Sequence, residues 1–346
     1  MTGTAPSDQA LADGLVLAVD GGGAKTDLAL LDAGGGLLSL VRGGASHAHY
    51  LGVDGSVELL GSLLEAATAR AGLGPAEGPL ASTAQILLAG ADLPEERAAL
   101  HARIEPLGWS ERLLVDNDTV ALLRAGTDRG WGIAVVCGAG INCLGLAPDG
   151  RELRFASLGQ ISGDWGGGRD VGLAALFAAA RSLDGRGPRT LLESAVPAHF
   201  GFADPIALAR ALHHRQLPEA RLGELARIVF EISERDPVAA GIVRHLAEEV
   251  VAFATAAIRR LELTGDDPDV VLGGRLLREL SPSVVRTVTA DVQAVAPRAR
   301  VVVAPSEPIV GAALLGLDAL GAGADASARA RAELDAALLA DALQMA

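Results

Sequence analysis

Apolar residues in this chain gather into short runs of strand length, separated by glycines and charged stretches. Residues 15–20, Leu-Val-Leu-Ala-Val-Asp, form one such run and predict a strand. Three glycines follow, and Thr26-Asp-Leu-Ala-Leu-Leu-Asp32 predicts a second strand. A turn at Ala33-Gly-Gly-Gly36 leads to a third over residues 37–42. Next come a predicted helix over 54–71, a strand over 85–89, a helix from Pro94 to about Leu107 and a strand over 112–115. That strand runs into Asp116-Asn117-Asp118, and a helix follows from Thr119 to Arg124. The pattern then restarts: strand 131–137, glycine turn Gly138-Ala139-Gly140, strand 141–147. Helical periodicity dominates residues 170–263, where Asp236 before Pro237 supplies N-cap and first-turn chemistry. A strand over 269–272, the turn Gly273-Gly274, a helix, a strand over 300–303 and an Ala/Leu-rich helix after Pro308 complete the series. The tail, 325–346, has helical spacing and is expected to dock as a helix on a domain.

Alternating strands and helices over 346 residues predict an α/β protein of about two domains. The strand-turn-strand unit occurs twice, near residues 20 and 138, and two such hairpins facing one cleft could hold a polyphosphate. The first glycine turn joins strand to strand, whereas a P-loop or a dinucleotide fingerprint opens a helix. Spacing agrees, because Lys25 follows Ala24 and the pattern G-x-x-x-x-G-K-[ST] fails, while Gly21-x-Gly23-x-x-Thr26 lacks a third glycine.

Composition narrows the partners. Hydrophobic residues make up 50% and charged residues 21%, but aromatics only 3%, so packing rests on Ala, Leu and Val. A net charge of -14 with no run of Lys or Arg excludes a nucleic-acid binder and points to small, metal-bound partners. Lys25 is the only lysine; the other 28 basic residues are arginine. A compact ammonium beside three glycines and the Thr26 hydroxyl suggests a phosphate-binding turn, with a plain surface hairpin as the alternative. Cys137 and Cys143 are too few for a disulfide framework or a four-ligand metal site and are expected to pack as small hydrophobes. No apolar stretch is long enough to span a bilayer, and Met1 to Gln9 lacks a leader's charged and apolar regions, so a cytoplasmic location is expected.

In order, Asp20-Gly-Gly-Gly-Ala-Lys-Thr-Asp27, Asn117-Asp118 after a strand, Gly138-Ala-Gly140 in a hairpin, Gly163-Asp164 and Gly273-Gly274 after a strand resemble the actin-like ATPase superfamily of sugar kinases and chaperones. Within it, the chain is most similar to the BadF/BadG/BcrA/BcrD-type branch, which contains N-acetylglucosamine and glucosamine kinases. The resemblance covers roughly residues 15–320. It implies two ribonuclease-H-like domains with an interdomain cleft closing over ATP, Mg²⁺ and a hexose, usually in a homodimer. The expected domains are 1–126, with 323–346 docking back on it, and a larger nucleotide and dimer side, 127–322. The activity implied is transfer of the γ-phosphate to the 6-hydroxyl of N-acetylglucosamine or a related hexosamine, with glucosamine and N-acetylmuramate as alternatives.

The resemblance also implies roles for particular residues. Asp20 matches the acid that holds Mg²⁺, and a carboxylate beside polyphosphate does need a bridging cation. Gly22, Gly23, Lys25 and Thr26 match contacts to the β- and γ-phosphates; Gly138, Ala139 and Gly140 match a second phosphate hairpin; Gly273 and Gly274 match the adenosine motif. Asp118 matches the general base, and Asn117, Asn142, Asp164 and His47 match sugar contacts. Two readings compete for the acids: Asp118 could instead cap the helix beginning at Thr119, and Asp116 could be the base, since strand alternation would put both on one side. The chain departs from the family at Ala139 for Thr, Ile141 for Ser, Trp165 for Glu and His47 for Asn. Trp165 could stack on a sugar or plug the core. Two other activities share the fold. An ATPase activating a radical dehydratase is disfavoured because cysteines on a glycine hairpin do not suit a cluster bridging a dimer. An ATPase or sugar-sensing protein of the same fold without sugar-kinase activity is the other alternative; only its DNA-binding form is disfavoured, by the acidic charge and by the short stretch before the first strand.

Overall fold

The computed structural model describes residues 14–74 and 78–345, so the leader expectation for Met1 to Gln9 lies outside the described residues. The chain forms two compact units, Met1–Gly130 with Ala304–Ala346, and Trp131–Val303.

In the first unit the strands are β1 (Leu15–Gly21), β2 (Thr26–Asp32), β3 (Leu37–Gly43), β4 (Ala81–Leu88) and β5 (Ser110–Asp116). The helices α1 (Ala48–Ala71), α2 (Pro94–Ile104) and α3 (Asp118–Gly126) connect or follow them. The sheet order is β3-β2-β1-β4-β5, antiparallel through β1, β2 and β3 and parallel from β1 to β4 and β5. Both faces of this sheet are covered, which is why β1 is apolar without alternation. Leu15, Leu17 and Val19 face a core shared with Leu60 and Leu64 of α1 and Leu100 and Ile104 of α2. Val16 and Ala18 face the opposite core. α1 begins before the predicted residue 54 because its first turn is separated from the rest by Gly52, whose φ of 72° breaks the helical run.

The second unit repeats the plan. Its strands are β6 (Gly132–Cys137), β7 (Ile141–Leu146), β8 (Glu152–Arg154), β9 (Asp269–Gly273) and β10 (Arg300–Val303), in the order β10-β9-β6-β7-β8. Each sheet is thus a three-stranded antiparallel meander with two parallel strands added beside its first strand. Between β8 and β9, where the first unit has one helix, the second has α4 (Gly168–Leu183), α5 (Leu192–His199), α6 (Pro205–His213), α7 (Leu225–Ser233) and α8 (Pro237–Arg260). The helix α9 (Arg275–Arg278) follows β9, and α10 (Pro282–Val295) precedes β10. Asp236 caps α8 through Oδ1, which accepts from Val238 N and Ala239 N.

After β10 the chain returns to the first unit through α11 (Pro308–Leu320) and α12 (Ala324–Met345). Residues 304–322, expected in the second domain, group instead with the first unit, whose leading segment runs to Gly130 rather than 126, and the second unit is not the larger of the two. The reason is burial. Ile309, Val310, Ala313 and Leu317 of α11 fill the core over Val16, Ala18 and Leu31, and Ala330, Leu334 and Leu338 of α12 join them. Gly311 lets α11 approach α3 closely, since a Cβ there would overlap the Ala121 carbonyl.

Candidate functional site

The first glycine turn closes through Gly22 N, which donates to Lys25 O at 2.8 Å, and Gly22 O accepts from Ser46 N. Lys25 stands just outside β2 with its ammonium 2.8 Å from Asp27 Oδ2 and 3.3 Å from Glu307 Oε2 at the N-cap of α11. Asp27 is buried and also accepts two hydrogen bonds from the Arg42 guanidinium, at 2.6 and 3.0 Å. Thr26, expected to contact phosphate, is fully buried and its hydroxyl donates to Gly44 O at 2.8 Å. That hydroxyl ties β2 to the end of β3; only the Thr26 backbone belongs to the turn.

Asp20, Asp27 and Arg42 lie in register across β1, β2 and β3, so their side chains share one face. Arg42 and Lys25 balance Asp27. Asp20 is less well served: burial first, then the charges of Asp118 and Asp27, push its carboxyl well above the ordinary range, and Lys25 only partly offsets them. A buried acid in this state wants a proton or a cation. Among the described residues no three His, Cys, Asp or Glu side chains converge to hold a metal. A lone buried carboxylate fits a cation whose other ligands are phosphate oxygens and water, a mode of binding usual for Mg²⁺.

β5 ends at Asp116, Asn117 caps α3 and Asp118 is the first helical residue. The chain has left the strand at that point, so strand alternation does not relate Asp116 to Asp118, and the cap is Asn117 rather than Asp118. Burial, followed by the charge of Asp92, raises the Asp118 carboxyl to about 7, against the lowering effect of the Thr119 backbone N–H. Asp116 is committed elsewhere: Oδ1 accepts from Asn117 N at 2.7 Å and lies 3.7 Å from Arg97 Nε. Asn117 is buried, with Oδ1 accepting from Thr119 N and Oγ1 and Nδ2 donating to Asp92 Oδ1 at 2.8 Å. Its amide serves the protein interior rather than an open sugar site. His47 is the partly exposed N-cap of α1; its Nδ1 accepts from His49 N, and its ring lies 4.7 Å from that of Tyr50. Burial, then His49, lowers its proton affinity, so the ring is neutral near pH 7, with its proton on Nε2 when Nδ1 accepts.

In the second unit the β6–β7 hairpin closes through Gly138 N donating to Gly140 O, with Ala139 at its tip. The loop before α4 is fastened to it: Gly168 N donates to Gly138 O at 2.8 Å and Gly167 N to Cys137 Sγ at 3.2 Å. Gly167 has φ +86°, and a side chain there would run into the backbone of Ala139 and Gly140. Asp170 holds the same loop by accepting from Gly166 N and Gln160 Nε2. Asp164 is buried, its N donating to Gly159 O and its carboxylate accepting from the Ser162 hydroxyl. Asn142 Oδ1 accepts from Ser157 Oγ and Cys143 N. Trp165 is partly buried, packing against the core of the second unit and against His245 of α8, ring centres 4.2 Å apart. Gly273 pairs with Val136 and Gly274 caps α9, so both lie beside the end of β6 that leads into the hairpin. Both thiols are buried and raised by that burial, Cys137 to about 12.

In the first unit Asp20, Lys25 and Asp118 lie at strand ends of its sheet, and in the second the hairpin over 138–140 and the turn at Gly273 and Gly274 lie at strand ends of its own, while Asp164 is held within its loop. Asp27, Asp92, Asp170 and Glu307 were not singled out from sequence. Asp92 carried a readable signal, an acid just past the end of an apolar strand, as Asp118 is. Glu307 carried none, being 282 positions from the lysine it meets.

Fold and site together define the class: an α/β protein of two units with the same sheet order, of the actin-like ATPase type that includes sugar kinases. The chain matches the BadF/BadG/BcrA/BcrD ATPase family over residues 17–316 and belongs to it. It is 26% identical over 269 residues to an N-acetylmuramic acid/N-acetylglucosamine kinase of Clostridium acetobutylicum, covering 77% of this chain and 86% of the relative. It is 23% identical to an N-acetyl-D-glucosamine kinase of Dictyostelium discoideum, over 88% of this chain and 98% of that one. Among solved structures it is similar to a candidate N-acetylglucosamine kinase of Chromobacterium violaceum, with a TM-score of 0.68 at 26% identity, covering 88% and 99% of the two chains.

Proposed function

We propose that the protein is an ATP-dependent kinase that transfers the γ-phosphate to the 6-hydroxyl of N-acetylglucosamine or a related hexosamine. The observation that carries this is Asp118, an acid at the first turn of a helix raised to about 7, in the electrostatic company of a second raised acid, Asp20. An acid poised near neutrality is suited to accept the proton of the attacking hydroxyl. Phosphoryl transfer otherwise needs positioning and charge stabilisation. In this reading the turn at Gly22 and Gly23 with Lys25, and the hairpin at Gly138, Ala139 and Gly140, hold the phosphates. Gly273 and Gly274 lie against the adenosine, and His47, Asn142 and Asp164 orient the sugar. Asn117 acts from behind Asp118. Asp20 would hold Mg²⁺, which supplies neutralisation of the phosphate charge. The second unit, Trp131–Val303, is the nucleotide side in this reading. A homodimer, which the family resemblance implies, and a cytoplasmic location complete it.

The test is coupled ADP release with N-acetylglucosamine, N-acetylmuramate, glucosamine and glucose. An N-acetylated hexosamine is expected to raise the rate at least tenfold over water; no acceleration by any of the four would refute the reading.

A further inference from the structure

Three links in the first unit converge on one residue that the proposed chemistry does not use, two on its backbone and one on its carboxylate. Asp92 lies just past β4, and β4 pairs in parallel with β5, so the chain segments leaving the two strands are neighbours. Asp92 is itself pinned. Its backbone N donates to Glu96 Oε2 at 3.0 Å, Leu93 N donates to the same oxygen at 2.9 Å, and its carbonyl accepts from Arg97 Nη1 at 2.9 Å. Glu96 is held in turn by His49 Nε2 at 2.6 Å. From this fixed point the Asp92 carboxylate accepts from the Asn117 side-chain amide. The other end of that amide receives both the N–H and the hydroxyl of Thr119. Capping alone needs only an oxygen accepting from the first turn, which serine supplies equally well. The second tether fixes which way the amide lies and locks the start of α3 to the start of α2.

We propose that Asp92 is a positioning residue for phosphoryl transfer: by anchoring the Asn117 amide it sets where Asp118 stands at the first turn of α3. The inference rests on Asp118 being the base. Displacing a catalytic group by a fraction of an ångström lowers the rate of the chemical step with little effect on ground-state binding. A residue that merely stabilised the fold would leave kcat unchanged in the molecules that remain folded.

The experiment compares Asp92→Ala, Asp92→Asn, Asn117→Ser and Asp118→Asn with the wild type. It measures kcat and KM for the hexosamine that the wild type phosphorylates, ATP binding by calorimetry and thermal unfolding of each variant. Asp92→Ala should lower kcat roughly tenfold or more, with both KM values and ATP affinity within about threefold. Asp92→Asn keeps an acceptor oxygen and should restore kcat to within about threefold of wild type. Asn117→Ser keeps the cap but loses the tether, so it should reproduce the Asp92→Ala loss and decides the matter if Asp92→Ala does not fold. Wild-type kcat in Asn117→Ser or in folded Asp92→Ala, or equal losses in Asp92→Ala and Asp92→Asn, would overturn the inference while leaving the kinase reading intact. A wild type with no sugar turnover would overturn the kinase reading and the inference together, whereas an active Asp118→Asn would overturn the assignment of the base and the inference with it, leaving the kinase reading intact.

Discussion

At the residue scale, the proton affinity of Asp118 comes from its surroundings and carries a sign that can be tested. The unfolded group titrates near 3.8 and the folded one near 7, raised by burial and then by Asp92. Between those values the folded protein keeps a proton that the unfolded chain releases, so this group costs stability progressively as pH rises from about 4 to about 7. In the proposed reaction the charged form is the base. The kcat/KM for the sugar should therefore climb with pH to a plateau above about 7, and Asp92→Asn should move the rising limb to lower pH by removing a nearby negative charge. Asp118→Asn should abolish turnover and yet raise the melting temperature at pH 8. A limb centred below pH 5, or a destabilised Asp118→Asn at pH 8, would contradict this account. Asp20, Lys25 and Asp118 were legible in sequence because each follows or flanks a glycine or a strand end. Asn117 was legible as a site residue but not in its task, because the amide's partner Asp92 is 25 positions away. Strand alternation does not relate Asp116 to Asp118, because Asp116 ends β5 and Asp118 opens α3.

At the element scale, the strands other than β8 were readable because apolar runs of this length flanked by glycine have few other uses; β8 is three residues with one apolar position and is fixed only by pairing with β7. The helices of residues 170–263 were readable only as a helical region; which apolar stripe packs on which neighbour is a tertiary matter. One junction among them is checkable. Asp236 Oδ1 caps α8, while Oδ2 accepts from Leu191 N at 2.6 Å and Thr190 Oγ1 at 2.9 Å, ahead of α5. Burial opposes its charge, but these hydrogen bonds outweigh burial and hold its carboxyl below the ordinary value. Asp236→Ala should thus cost about 2 kcal/mol by chemical denaturation at pH 7. Because the folded group titrates below 3.8, its contribution is full above that value and fades as pH falls through the folded value. The difference between wild type and variant should narrow in acid; a constant difference down to pH 2 would mean the loss is not a charge effect.

At the scale of the whole molecule, the chain leaves the first unit at residue 130 and returns at 304. The returning helix α11 buries Ile309, Val310, Leu314 and Leu317 completely. At about 1.5–3 kcal/mol for each such side chain, this burial is comparable with the roughly 5–15 kcal/mol that separates a folded domain from its unfolded state. A chain ending at Val303 should therefore lose cooperative unfolding of the first unit and expose the face bearing Val16, Ala18 and Leu31, whereas residues 131–303 expressed alone should fold. Circular dichroism and the soluble fraction of the two fragments check this; a soluble, cooperatively melting 1–303 would refute it. The sequence by itself determined the strand-turn-strand repeat, the two α/β units and the acid, lysine and glycines of the two turns, because hydrophobic period and turn chemistry are local properties. Only the tertiary structure decided that α11 belongs to the first unit, that Lys25 meets Glu307, and that Asp92 reaches the Asn117 amide beside Asp118. Those contacts join positions 25 to 300 residues apart, and burial and charge act through space between groups that local pattern does not relate.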